Sequence, residues 1–268
     1  MIKAIITDLD GTLLPRGGSI SADTLEAFRL AGNKGCIRII ATGRNLYSAL
    51  KILPAGFPID YLVFSSGAGT LRWSDRRLLS AHHLSMSETR EIASYLWEYN
   101  INFTIQREIP DNHYFYYTTL YPDYQKRLAT YRPFGSPIDS PAGIQGKATQ
   151  FVMILDTLQL RLLEKIRSDL AGYSVVRSTS PLDNRAIWLE IFAGGIHKGN
   201  SCQTLLKKLN INCKEVAGLG NDYNDIDFLD ICAEAYLVAN APVNLQRHYK
   251  LVRSDKEEGF TEFISKVL

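Results

Sequence analysis

The sequence predicts an α/β protein, a doubly wound parallel sheet interrupted by an inserted α+β unit. Three observations lead there. Short apolar runs alternate with helical patterns near both ends of the chain, as strand–helix crossovers in a parallel sheet require. Residues 84–188 break that rhythm with runs that read as hairpin strands. The 268 residues exceed one ordinary domain, and the 46% apolar fraction supports a full core without disulfide or metal staples. Two lobes follow: a core from 1–83 and 189–268, and an insert from 84–188.

Ile2–Thr7 is an apolar run that reads as a buried strand. A helix follows, capped by Ser21, with Leu25, Phe28 and Ala31 on one face and Gly32 and Gly35 as stop signals. Ile37–Ala41 is a second strand. Leu46, Ala49, Leu50 and Leu53 then keep helical spacing until Pro54 ends the pattern. Tyr61–Phe64 is a third strand. The insert begins with a helix over Ser87–Tyr99 and strands at Phe103–Ile105 and His113–Thr119. It continues with a strand at Phe151–Leu155, a helix over Leu158–Leu170, and strands at Ser174–Arg177 and Ile187–Ile191. Alternation resumes with a helix over Lys198–Leu209, a strand at Val216–Leu219 and a helix over Asn224–Ile231. Short strands at Tyr236–Ala239 and Leu251–Val252 precede a closing helix at Phe260–Val267.

Composition narrows the function. A net charge of +2 with both signs dispersed leaves no stripe for nucleic acid and no polybasic membrane patch. No apolar run approaches the ~20 residues of a membrane span. The N-terminus enters a strand with no cationic leader, so a cytoplasmic location is expected. Cys36, Cys202, Cys213 and Cys232 lie far apart without zinc or redox spacing and read as reduced, mostly buried thiols. His82-His83 sits at the hinge into the insert and reads as an exposed linker. The aromatic run Tyr114-Phe115-Tyr116-Tyr117, with Trp97, Tyr121 and Tyr131, reads as core packing or a dimer face before it reads as a ring-stacking platform.

Four segments carry chemistry, each placed just past a predicted strand or at a helix start. They are Asp8-Leu9-Asp10; Ala41-Thr42-Gly43-Arg44; His197-Lys198-Gly199; and Gly218-Leu219-Gly220-Asn221-Asp222-Tyr223-Asn224-Asp225. In open α/β sheets ligands bind outside the carboxyl ends of the strands. The paired carboxylates suit a hard cation such as Mg2+, and one could serve as nucleophile. Lys198 and a metal would offset charge on phosphoryl oxygens while the Thr42 hydroxyl and backbone N–H groups hold geometry. Taken alone, Asp8-x-Asp10 reads as a helix-capping turn, Lys198 as a solvated helix-start lysine and Thr42 as a helix N-cap. Their order along the alternation raises the functional reading above these.

On these residues the chain resembles the haloacid dehalogenase superfamily, specifically its Cof-type phosphatase branch with a large α/β cap. The resemblance is most specific in Ile5–Leu14, Ala41–Arg44, Leu189–Gly199 and Gly218–Leu229, and Val238–Pro242 with Glu258-Gly259 also fits. It implies a Rossmann-like core whose cap closes over the site and reads the leaving group of a small phosphorylated metabolite such as a sugar phosphate. It implies that Asp8 attacks phosphorus while Asp10 protonates the leaving oxygen and then activates water. Leu9, Asp10, Thr42, Gly43, Lys198 and Asn224 would hold the phosphoryl group. Mg2+ would be held by Asp8, the backbone carbonyl of Asp10 and an acid of the fourth segment, with Asp225 as ligand or as orienter of the ligands and Lys198. Arg44 would reach substrate or cap, or tie helix to loop.

Two departures stand out. The branch has Gly-Asp-x-x-Asn-Asp in the fourth segment, and anchoring on Asn224-Asp225 puts Asn221 where the metal-binding Asp belongs. Either the neutral Asn221 or its neighbour Asp222 would then meet the cation. Ser66 stands where the branch commonly has Asn before Gly-Ala. Two rivals stay open at this level: a phosphotransferase or mutase using the same aspartyl-phosphate, and a non-catalytic binding protein with a decayed metal site, toward which only Asn221 points.

Overall fold

Strand β1 (Ala4–Thr7) is fully buried along its length, as a run without polar alternation requires. It lies within an eight-stranded sheet in the computed structural model, which describes residues 1–118, 133–156, 159–179 and 186–268. Helix α1 (Ala22–Asn33) starts where Ser21 Oγ accepts the Thr24 amide at 3.0 Å, and it buries Ala27, Phe28 and Ala31. Strand β2 (Ile37–Ala41), helix α2 (Leu46–Ile52) and strand β3 (Tyr61–Phe64) follow as the apolar spacing predicts. Strands β4 (Gly69–Arg72) and β5 (Arg77–Ala81) extend the sheet beyond the expected strands, β4 running antiparallel to β3.

The chain returns to this sheet through helix α5 (Lys198–Lys208), strand β12 (Val216–Gly220), helix α6 (Ile226–Leu229), strand β13 (Glu234–Val238), helix α7 (Val243–Gln246), strand β14 (Lys250–Val252) and helix α8 (Gly259–Val267). Strand order is β14-β13-β12-β1-β2-β3-β4-β5, with parallel pairing from β14 through β3. This is the doubly wound sheet expected. Helix α6 is much shorter than the predicted Asn224–Ile231. Tyr223–Asp225 forms a tighter turn instead, in which Asp222 Oδ1 accepts the Tyr223 amide and the Asp225 side chain reaches back to the Asp222 amide.

The second compact unit comprises Asn45–Ser48 and Ala81–Ile196. Strand β11 (Ala186–Phe192) pairs there with β9 (Ala148–Asp156) and β10 (Ser174–Thr179), so the core resumes at His197 rather than at 189. The six-stranded sheet runs β10-β11-β9-β6-β7-β8, with β6 (Phe103–Arg107), β7 (Phe115–Tyr117) and an unanticipated β8 (Gly135–Pro137) parallel to β7. Helices α3 (Met86–Glu98) and α4 (Leu160–Asp169) press Ile92, Leu96, Leu163 and Ile166 onto Phe103, Phe151 and Leu189. Phe115 heads a small cluster with Tyr117 and Phe134, while Tyr116 and Trp97 pack against the main core. The expected Thr119, Leu158, Tyr121 and Tyr131 lie outside the described residues. Among the described residues no helix is long and apolar enough to cross a membrane.

His83 corrects the linker reading. It is half-buried, and its Nε2 accepts the Ile109 amide at 3.0 Å. Burial holds its pKa below the ordinary 6.5, with Lys147 and His82 adding to that and Glu108 opposing it. The unfolded chain therefore takes up the proton more readily, so this contribution to stability is present above about pH 6.5 and lost as pH falls below it. His83→Gln keeps an acceptor for Ile109 without titrating. Its melting temperature should fall less than that of the wild type between pH 7.5 and about pH 5.5.

Candidate active site

The register of three parallel strands builds the site. Thr7 pairs with Leu219 on β12 and with Ile40 on β2, so the residues that follow, Asp8, Gly220 and Ala41, emerge abreast. The Asp8 amide continues the ladder to Leu219 O at 3.0 Å, and the chain then turns, with the amides of Leu13 and Leu14 returning to Leu9 O. Gly11 takes φ +76°, a left-handed conformation that glycine adopts without strain.

Lys198, the first residue of α5, is 1% exposed and sits between two carboxylates. Its Nζ donates to Asp8 Oδ1 at 2.6 Å and to Asp225 Oδ1 at 2.7 Å. Burial works against the ammonium, but Asp225 and Asp8 outweigh it and hold its pKa above the ordinary lysine range. Burial and the Asp225 carboxylate push Asp8 up to about 8, with Lys198 pulling the other way. Without further positive charge the pocket is over-supplied with carboxylate.

Asp225 is fully buried and uses both oxygens within the protein: Oδ1 on Lys198, Oδ2 on the amides of Asn221 and Asp222 at 2.8 and 3.0 Å. It thereby fixes both the ammonium and the loop after β12. The Asn221 side chain lies against Gly11, its Nδ2 only 2.5 Å from where a Cβ would stand. Asn240 Nδ2 donates to Gly11 O at 2.8 Å and braces the same turn. Asp222 Oδ1 accepts the Tyr223 amide at 2.8 Å and caps its own turn. Of the two candidates, Asn221 is the one set against the Asp8–Gly11 turn.

Thr42 is fully buried, and its Oγ1 accepts the Arg44 amide at 3.1 Å. The cap of α2 falls instead to Asn45, whose Oδ1 accepts the Ser48 amide at 2.8 Å. Arg44 forks onto Asp10, Nε to Oδ2 at 2.7 Å and Nη2 to Oδ1 at 2.6 Å, so of the roles open to it the ion pair is formed. Asn224 Nδ2 lies 3.9 Å from where a Cβ on Gly43 would stand. His197 caps α5, and its Nδ1 lies 3.0 Å from Asp227. The structure thus brings Asp8, Lys198 and Asp225 into direct contact. Arg44 and Asp10 are joined separately, and Gly43 lies beside Asn224.

Sequence reasoning missed three supports: Asn240, the Asn45 cap and the turn Ser65–Gly67 beside Thr42. Asn45 three residues before Ser48 was a readable capping signal. Asn240 reaches Gly11 across the chain and has no local one. Cys202, Cys213 and Cys232, distant in sequence, join one apolar cluster, and every cysteine is a free thiol.

A family model described as haloacid dehalogenase-like hydrolase matches residues 5–264. The 5-amino-6-(5-phospho-D-ribitylamino)uracil phosphatase YwtE of Bacillus subtilis (strain 168) is 23% identical over 100% of this chain and 98% of its own. A second phosphatase of that name from the same organism, YcsE, is 23% identical over 90% of this chain and 85% of its own. Among solved structures, BT1666 from Bacteroides thetaiotaomicron shares the fold with a TM-score of 0.84 at 18% identity, across 100% of this chain and 95% of that one.

Proposed function

We propose that this chain, which belongs to the haloacid dehalogenase-like hydrolase family and is a phosphatase, hydrolyses small phosphate monoesters through a phosphoryl group carried on Asp8. The observation that carries this reading is the buried Lys198 ammonium between Asp8 and Asp225. It counts against a decayed binding site, where nothing would maintain buried charge at such desolvation cost. A carboxylate attacks a dianionic ester only when charge on phosphorus is offset, and Lys198 supplies one such charge.

An Asp8 oxygen bonds to phosphorus as the bond from phosphorus to the leaving oxygen breaks, and Asp10 delivers the proton that oxygen takes up. Asp10 then accepts a proton from the water that attacks the same phosphorus, the Asp8–phosphorus bond breaks, and inorganic phosphate leaves with Asp8 restored. Arg44 fixes the Asp10 carboxylate through both oxygens. The Thr42 hydroxyl, the Asn224 amide and the N–H groups of Leu9, Asp10 and Gly43 hold the phosphoryl oxygens with Lys198.

The donor set suits Mg2+. Asp8 and Asp225 share the single Lys198 ammonium while Arg44 balances Asp10, so negative charge is in excess there and a divalent ion would offset it. Among the described residues no three His, Cys, Asp or Glu side chains form a ready cage. Asp8, the Asp10 carbonyl and the Asn221 carbonyl would hold the ion, which supplies positive charge to the phosphoryl oxygens when bound. Asp225 is assigned to positioning. Asn221→Asp adds the missing charge, and calorimetry with Mg2+ should show about tenfold tighter binding. Unchanged affinity would shift the assignment to Asp222.

The two Bacillus subtilis relatives are named for a substrate whose phosphate is on a ribityl chain. This favours phosphorylated sugars and polyols as the class, in a reducing cytoplasm that suits four free thiols. The test is phosphate release over a panel of phosphorylated metabolites, with Mg2+ and after chelation by EDTA. Mg2+-dependent release is expected. Phosphate passed to an added acceptor instead of water would favour a transferase.

A further inference from the structure

Ser65, Ser66 and Gly67 follow β3 and all hold positive φ, at 49°, 51° and 105°. Two consecutive serines in the left-handed region are strained, and such strain persists only where surroundings enforce it. The enforcing contacts run to two sides. On one side the Ser65 amide donates to Arg44 O at 2.8 Å and the Ser66 amide to Thr42 O at 3.0 Å, so the pair straddles Gly43. Ser66 Oγ is 3.5 Å from where a Cβ on Gly43 would stand. On the other side Gly67 O accepts from Ser201 Oγ on α5 at 2.7 Å. A Cβ on Gly67 would lie 2.6 Å from the carbonyl oxygen of His197, the residue before Lys198.

We propose that this three-residue arch is the positioning element that sets the distance between the Thr42–Gly43 loop and Lys198. It touches neither phosphorus nor leaving group and acts through those residues. The inference rests on the reading of Thr42 and Lys198 as phosphoryl-holding groups. Two adjacent segments of sheet and helix need no such strained link merely to pack, since apolar side chains of β3 and α5 already share one cluster.

The test uses Ser201, which ties the arch to α5 and lies outside the catalytic set. Ser201→Ala removes the hydroxyl, Ser201→Thr keeps it, and Gly67→Ala forces a side chain against the His197 carbonyl. Each is measured for hydrolysis of p-nitrophenyl phosphate with Mg2+, for inhibition by orthovanadate as a five-coordinate phosphorus mimic, and for melting temperature. Ser201→Ala should lower kcat/KM and vanadate affinity about tenfold, the factor one hydrogen bond carries, while the melting temperature falls by no more than a few degrees. Ser201→Thr should restore both. Gly67→Ala should cost on the order of a hundredfold, as sub-ångström to ångström misplacement of positioning groups does. Should that variant fail to fold, the Ser201 pair decides. Full activity and vanadate affinity in Ser201→Ala would overturn the arch while leaving the phosphatase reading intact. A wild type that neither hydrolyses esters nor binds vanadate would end both.

Discussion

Lys198→Ala should lower stability by about 3–5 kcal/mol, because it leaves two buried carboxylates without their cation. In a domain of this size that corresponds to a fall of roughly 10 °C in melting temperature. Asp8 is already pushed up to about 8 by burial and Asp225 even with the ammonium present. Its removal takes away the first hydrogen-bond donor to Asp8 Oδ1 and one of the partners of Asp225 at once. Turnover should fall at least about 10³-fold, the scale seen when a preorganised charge donor is lost from a transition-state site. Thermal melts followed by circular dichroism, with and without Mg2+, measure the first effect and phosphate release the second. A variant that melted with the wild type would show that the buried ammonium compensates nothing.

Asp8→Asn is expected to abolish phosphate release, by at least about 10⁴-fold, while the protein still folds. The amide matches the carboxylate in shape and has no nucleophilic oxygen. It also removes the buried charge whose desolvation raises the Asp8 pKa, and Lys198 keeps its second partner, Asp225. The melting temperature should therefore stay within a few degrees, in contrast to Lys198→Ala. The two variants separate charge balance from bond making. Acid quenching of the wild type during turnover should leave a phosphoryl adduct on the peptide carrying Asp8, absent from Asp8→Asn. Near wild-type turnover in the variant would remove Asp8 from its role.

Much of the site was legible because its residue types are expensive to place by accident. A carboxylate after a buried strand, a lysine at a helix start and a second acidic loop after another strand already implied convergence, and the β1–β12 register delivers it. What stayed illegible depends on contacts without local pattern. The choice between Asn221 and Asp222 turns on which side chain faces Gly11, more than two hundred residues earlier in the chain. The Ser65–Gly67 arch is invisible because serine carries no preference for positive φ, and only Gly67 hints at it. The core boundary slipped from 189 to 197 because Ile187–Ile191 reads as the same apolar strand in either sheet. The expected helix over 224–231 shortened because Tyr223–Asp225 closes a tight turn of its own, capped by Asp222, before the helix begins at Ile226.

The pairing of β1 with β12 has an implication for biosynthesis. As the nascent polypeptide emerges, β2 can cover one edge of β1, but the other stays bare until residues 216–219 have been made. An unpaired apolar edge invites association with other chains. Early translation products should therefore depend on chaperone shielding, and prematurely terminated ones should be inert as well as sticky.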